Sequence, residues 1–76
     1  MLVQVRFFAS LREKLGLNDC ALELPSPAVA MDVWSLATQQ TLPANTLIAI
    51  NQEFAKPDSA VHANDEVAFF PPVTGG

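Results

Sequence analysis

"EVAFFPPVTGG" (residues 66–76) joins an apolar, strand-forming run to two prolines and a diglycine. Valine and phenylalanine suit a pleated, half-buried surface. Pro71 and Pro72 can donate no ladder hydrogen bonds, so a strand begun at Glu66 must stop before them. Asn64-Asp65 on its other side reads as a turn, because Asn tolerates the left-handed conformation. A bounded five-residue strand therefore closes the folded part of the chain. Alternation alone leaves open which of Phe69 and Phe70 points inward.

Working back from that strand, the other elements follow from hydrophobic period. "LVQVRFF" (residues 2–8) alternates, with Val3, Val5 and Phe7 on one face and Gln4 and Arg6 on the other. "FASLREKLG" (8–16) sets Phe8, Leu11 and Leu15 at helical spacing and ends on Gly16, a natural C′ residue. "CALELP" (20–25) resumes alternation, with Leu22 and Leu24 inward and Glu23 outward, until Pro25. In "SPAVAMDVWSLATQQ" (26–40), Ser26 can cap a helix with Pro27 at its first position. Val29, Ala30, Val33, Trp34, Leu36 and Ala37 cover one arc of it, Asp32, Ser35, Thr38 and Gln39 fall opposite, and Met31 alone is out of place. "NTLIAINQ" (45–52) is a near-continuous apolar strand suited to a central position. "EFAKPDSAVHAND" (53–65) reads as irregular, with a turn at Pro57-Asp58 and room for one very short strand.

The order β, short α, β, α, β, loop, β predicts an α+β domain, a mixed sheet with one main helix packed across one face. That is the ubiquitin-like β-grasp arrangement, in which the first and last strands pair at the centre. The expected division is a folded domain over residues 1–71 and a flexible, extended tail over 72–76.

Composition narrows the function. A chain of 76 residues makes one domain, and at this size only about 60% of the unfolded surface is buried. The lone Cys20 allows no intramolecular disulfide and is expected as a small buried hydrophobe. One Cys and one His cannot complete a four-ligand zinc site, nor one Cys a four-cysteine iron–sulfur site. No apolar run approaches the roughly 20 residues of a membrane span, and Gln4 and Arg6 interrupt any signal-peptide core, so a cytoplasmic protein with no membrane partner is expected. Eight acidic against four basic residues argue against nucleic acid. Charged residues make up only 16% and apolar residues 50%, against about 25% charged in ordinary domains. Part of that apolar surface is therefore expected to face a partner.

A catalytic constellation is missing from the pattern. His62 stands alone in a loop and is expected to be solvated. Glu13, Glu23, Asp65 and Glu66 read as surface charges, and the only internal glycine, Gly16, makes no phosphate loop. The expectation is a chain with no catalytic side chains, no bound cofactor and no metal. What remains is the tail. Val73 to Gly76 can reach about 14 Å at 3.3–3.6 Å per residue, and two glycines make that reach slim. An α-carboxylate at Gly76 is a poor electrophile, but ATP can turn it into an acyl-adenylate open to a sulfur or nitrogen nucleophile. A bare diglycine is a weak motif, and a frayed terminus is the plain alternative.

The longer string is more specific. "DEVAFFPPVTGG" (residues 65–76) closely resembles the end of the small subunits of molybdopterin synthase, and "VQVRFFASLRE", the middle helix and "AIN" (49–51) agree in order and spacing. Two departures are visible. The turn in "HANDEV" has Asn64 where the family often has Gly, and "SPAVAMDVW" places Met31 and Trp34 where smaller aliphatics are usual. The resemblance implies a sulfur carrier of molybdenum-cofactor biosynthesis. Gly76 would be adenylated by an ATP-dependent activating enzyme and converted to a thiocarboxylate by a sulfur donor such as a cysteine desulfurase or rhodanese. It would then be presented to the large catalytic subunit, in a heterotetramer of two small and two large subunits, with sulfur passing to cyclic pyranopterin monophosphate. Val73, Thr74, Gly75 and Gly76 would enter the partner's active site. Phe70, Pro71 and Pro72 would form the stem, and Phe7 is placed with them on the docking surface. A carrier for thiazole synthesis or tRNA thiolation, a ubiquitin-type modifier and a plain interaction module are the competing readings.

Overall fold

The alternating start of the chain forms strand β1 (Leu2–Phe7), with Val3, Val5 and Phe7 buried and Leu2 and Gln4 exposed. Helix α1 (Ala9–Leu15) follows at once, and Gly16 closes it in the left-handed conformation, φ 65°, donating its N–H to the Arg12 carbonyl. Strand β2 (Cys20–Glu23) returns antiparallel to β1. Beyond it lie β3 (Ala28–Val29), helix α2 (Ala30–Thr38), β4 (Leu47–Ile50), β5 (Glu53–Ala55), β6 (Ala60–Val61) and β7 (Glu66–Phe70). The computed structural model describes residues 1–72.

Five strands make the main sheet in the order β2-β1-β7-β4-β5, and β3 pairs with β6 in a small second sheet. The first and last strands run parallel side by side, with Val5 opposite Val67 and Phe7 opposite Phe69. This is the expected β-grasp centre. Helix α2 packs across one face through Ala30, Val33 and Trp34, all buried. Phe7 and Phe69 stack with centroids 5.8 Å apart, and Trp34 meets them edge-on at 6.0 and 5.0 Å. The Trp34 indole N–H is not stranded by burial, because it donates to the Gln40 carbonyl at 2.9 Å.

Several expectations need correcting. Helix α2 begins at Ala30, not beside Ser26 and Pro27, because Ala28 and Val29 are held extended by pairing with Val61 and Ala60. Its free N-terminal donors are met from elsewhere. Asp32 accepts the Val29 N–H at 2.8 Å, and the loop before β6 supplies Ser59 and Pro57 carbonyls to Ala30 and Met31. Leu36 is half exposed, since the buried stripe is the narrower set Ala30, Val33 and Trp34, with Ala37 partly buried beside it. The apolar run 45–52 is not one strand. Asn51 and Gln52 have φ of 51° and 70° and turn β4 back into β5, so residues 53–65 hold two short strands and not one. Cys20 is exposed at the outer edge of the sheet and not buried.

Asp65 is more than a surface charge. Its carboxylate accepts the Asn51 side-chain amide at 2.9 Å and the His62 backbone N–H at 2.8 Å. The Asn51 side chain in turn accepts the Glu66 N–H at 3.0 Å, which ties the β4–β5 turn to the start of β7. Partial burial works against ionisation of Asp65, but these hydrogen bonds and the nearby His62 outweigh it and hold the carboxyl below its ordinary pKa. His62 itself is exposed, as expected of a solvated loop residue.

Candidate functional site

A sheet has two faces, and here the helix covers one of them. Register fixes what stands on the other. Phe7 pairs with Phe69 and Leu47 with Phe70, and successive residues of a strand point to opposite sides. Arg6, Ala68, Ala49 and Phe54 therefore form one row across β1, β7, β4 and β5, flanked by Phe8, Phe70 and Leu47. The outward Phe is settled by this register: Phe69 is fully buried, and Phe70 is half-buried on the open face.

Phe8 and Phe70 stack at 4.6 Å with their rings 11° apart. The Arg6 guanidinium lies 4.9 Å from the Phe8 ring centre and pairs with Asp19 at 3.2 Å and Glu66 at 3.9 Å. Phe54 is 81% exposed. Burying a phenylalanine is worth roughly 1.5–3 kcal/mol, a stabilisation that this ring, open on a short edge strand, forgoes within the described fold. Ala9, Leu47, Phe54, Phe70 and Pro71 line a groove of about 270 Å³ that is nearly all apolar. Ala9 turns β1 into α1 with φ 53°, an uncommon conformation for a residue with a Cβ, and it does so at the rim of that groove.

The end of β7 is the wall of this groove. Pro71 lines it directly, and Pro72, half-buried, is the last described residue. Of the residues expected at the site, Phe70 and Pro71 are brought together here, with Pro72 next along the chain. Phe7 is not. It is 1% exposed beneath Trp34, because its strand parity faces the helix, so its place on the docking surface is withdrawn. Val73, Thr74, Gly75 and Gly76 lie outside the described residues. Sequence reasoning passed over Phe8, Leu47 and Phe54. For Phe8 the signal was available, since alternation that sends Phe7 inward sends Phe8 outward.

Among the described residues no three His, Cys, Asp or Glu side chains gather as a metal site would require. Nor, among the described residues, is any helix long and apolar enough to cross a membrane. The described part of the chain is thus a β-grasp domain whose last strand ends, through Pro71, at the lip of an exposed apolar face. Comparison with known proteins agrees with that class. The chain belongs to the ThiS family, whose model matches residues 5–76. It is 40% identical over 84 aligned positions to a molybdopterin synthase sulfur carrier subunit of Haemophilus influenzae, covering 99% of this chain and 100% of that one. The fold matches a crystal structure of SAMP1 from Haloferax volcanii with a TM-score of 0.81 and 26% identity over the full length of both. It also matches a chain in a complex of subunits 1 and 2 of the molybdopterin-converting factor from Helicobacter pylori, TM-score 0.67 and 18% identity, again over the full length of both.

Proposed function

We propose that this chain is the sulfur carrier subunit of a molybdopterin synthase, and that Gly76 bears the group it carries. The observation that supports this most is the position of β7. The same strand that sits at the centre of the sheet ends, through Pro71, in the wall of an apolar groove on the open face. A partner that covers the groove would lie within reach of the four residues after Pro72, which span at most about 14 Å when extended.

The chemistry belongs to the carboxyl group of Gly76. An activating enzyme joins it to AMP from ATP with release of pyrophosphate. The persulfide of a donor such as a cysteine desulfurase or rhodanese displaces AMP to give an acyl disulfide. A thiol then cleaves its S–S bond, leaving the thiocarboxylate on Gly76 and a disulfide between the thiol and the donor cysteine. The large catalytic subunit then receives Val73 to Gly76 in its active site, and sulfur passes to cyclic pyranopterin monophosphate, the thiocarboxylate returning to carboxylate with oxygen from water. Two such deliveries complete the dithiolene. In the full assembly two small subunits flank a dimer of large subunits. This chain contributes no acid, base or nucleophilic side chain, only an aimed terminus and a docking face. Its place of action is the cytoplasm.

Intact mass spectrometry tests the reading. The purified chain is incubated with ATP, Mg²⁺, a sulfide source and the cognate activating enzyme. One oxygen replaced by sulfur, located at Gly76, is expected, and addition of the large subunit and the pterin precursor should return the original mass. No change with an active enzyme overturns the carrier reading, while higher-mass conjugates on lysines indicate a ubiquitin-type modifier. Gly76→Ala should leave the melt unchanged and lower sulfur transfer.

A further inference from the structure

The open face is apolar at its centre, yet it carries an ion cluster at one end. Arg6 is the only basic residue in the five strands of the main sheet. Its Nε donates to Asp19 at 3.2 Å, and its guanidinium lies 3.9 Å from Glu66 and over the ring of Phe8. All three charged side chains are partly open, 42% for Arg6, 50% for Asp19 and 34% for Glu66. Exposed pairs of this kind add little to folding stability. Their situation changes once a partner covers Phe8 and Phe70, because water leaves the charges that adjoin those rings. A carboxylate stripped of water without a counter-ion is strongly unfavourable, whereas one already paired is tolerated.

We propose that Arg6 sets the affinity of this face for the large subunit by neutralising Asp19 and Glu66 within the docking area, which rests on the docking reading above. The cluster carries one positive and two negative charges on a chain of net charge −4. The fitting partner is therefore apolar opposite the Phe8–Phe70 stack and supplies neutral donors or a cation opposite Asp19 and Glu66, not further carboxylates. Arg6 is a positioning and specificity residue; it takes no part in sulfur chemistry.

Isothermal titration of the full chain against the purified large subunit, at about 0.1 M salt to limit screening, tests this. Arg6→Gln is expected to weaken binding about tenfold or more, with a thermal melt matching that of the unaltered chain. The triple variant Arg6→Gln, Asp19→Asn, Glu66→Gln removes the orphaned carboxylates as well and should return to within about threefold of the original affinity. A purely structural role for Arg6 would not be rescued in this way. Unchanged binding by Arg6→Gln overturns the proposal, as does a triple variant no tighter than the single one. Failure of the unaltered chain to bind overturns the docking reading itself, and is seen before any substitution is made.

Discussion

The two faces of the main sheet are built from the same five strands and have opposite tasks. On the covered face Val3, Val5, Phe7, Ile48, Val67 and Phe69 are buried against Trp34 and its helix. On the open face Phe8, Phe70, Leu47 and Phe54 are equally apolar in kind, yet among the described residues no helix or strand lies over them. The difference teaches that apolar content alone does not mark a core. Parity along the strand assigns each ring, so adjacent residues such as Phe69 and Phe70 end on opposite faces, one in the core and one on the open side.

Four substitutions would break or sharpen that contrast. Trp34→Ala should cost about 3–5 kcal/mol in denaturant unfolding, since it removes the ring that Phe7 and Phe69 pack against. A loss near zero would mean that the covered face is not the core. Phe54→Ala should do the reverse. Stability stays within about 0.5 kcal/mol of the original, while affinity for the large subunit falls by about 2 kcal/mol, as at an aromatic hot spot. A destabilised melt with intact binding would reassign Phe54 to the fold.

Asp65→Asn lies between the faces, at the turn that starts β7. It should cost about 1–2 kcal/mol at neutral pH, because the His62 N–H loses an ionised acceptor. Since folding lowers the Asp65 pKa, its contribution is present above the unfolded value and is lost as pH falls. Stability of the original chain should therefore decline from about pH 5 to pH 3, and the Asn variant should show a shallower decline in urea melts taken across that range. The smallest effect is expected of Ala9→Gly. Relief of the left-handed backbone slightly exceeds the entropy lost, for a gain of about 0.5 kcal/mol. A loss there would show that the Ala9 methyl in the groove wall matters more than its backbone.

Strong periodicity made the central fold legible. Residues 2–8 and 66–70 carried enough alternation or apolar density to place β1 and β7, and Trp34 with Val33 fixed the phase of α2. What was lost was lost locally. The β4–β5 hairpin escaped notice because Gln52, not Gly, occupies its second left-handed position, and the usual Asn-Gly signal is absent. The start of α2 was misplaced because Ser26-Pro27 imitates a cap, while the pairing that keeps Ala28 and Val29 extended comes from Ala60 and Val61, far along the chain. The open face suffered from the missed hairpin and from an unknown register. Without β5 there was no reason to place Phe54 beside Ala49, and without the β1–β7 register Phe7 and Phe70 could not be told apart by side.

The parallel pairing of Val5 with Val67 also governs when the protein becomes itself during synthesis. Strand β7 is the keystone of the sheet, and the ribosome delivers it last. Before it arrives, β1 with β2 and β4 with β5 can form only as separate two-strand pairs with a vacant lane between them. Contacts of such long sequence separation form late and slowly. A nascent or truncated chain lacking β7 accordingly has neither a closed sheet nor the Phe8–Phe70 pair. The open face, with its Phe8–Phe70 pair, thus comes into being only with the last strand of the sheet, so that surface is itself a sign that the sheet is complete.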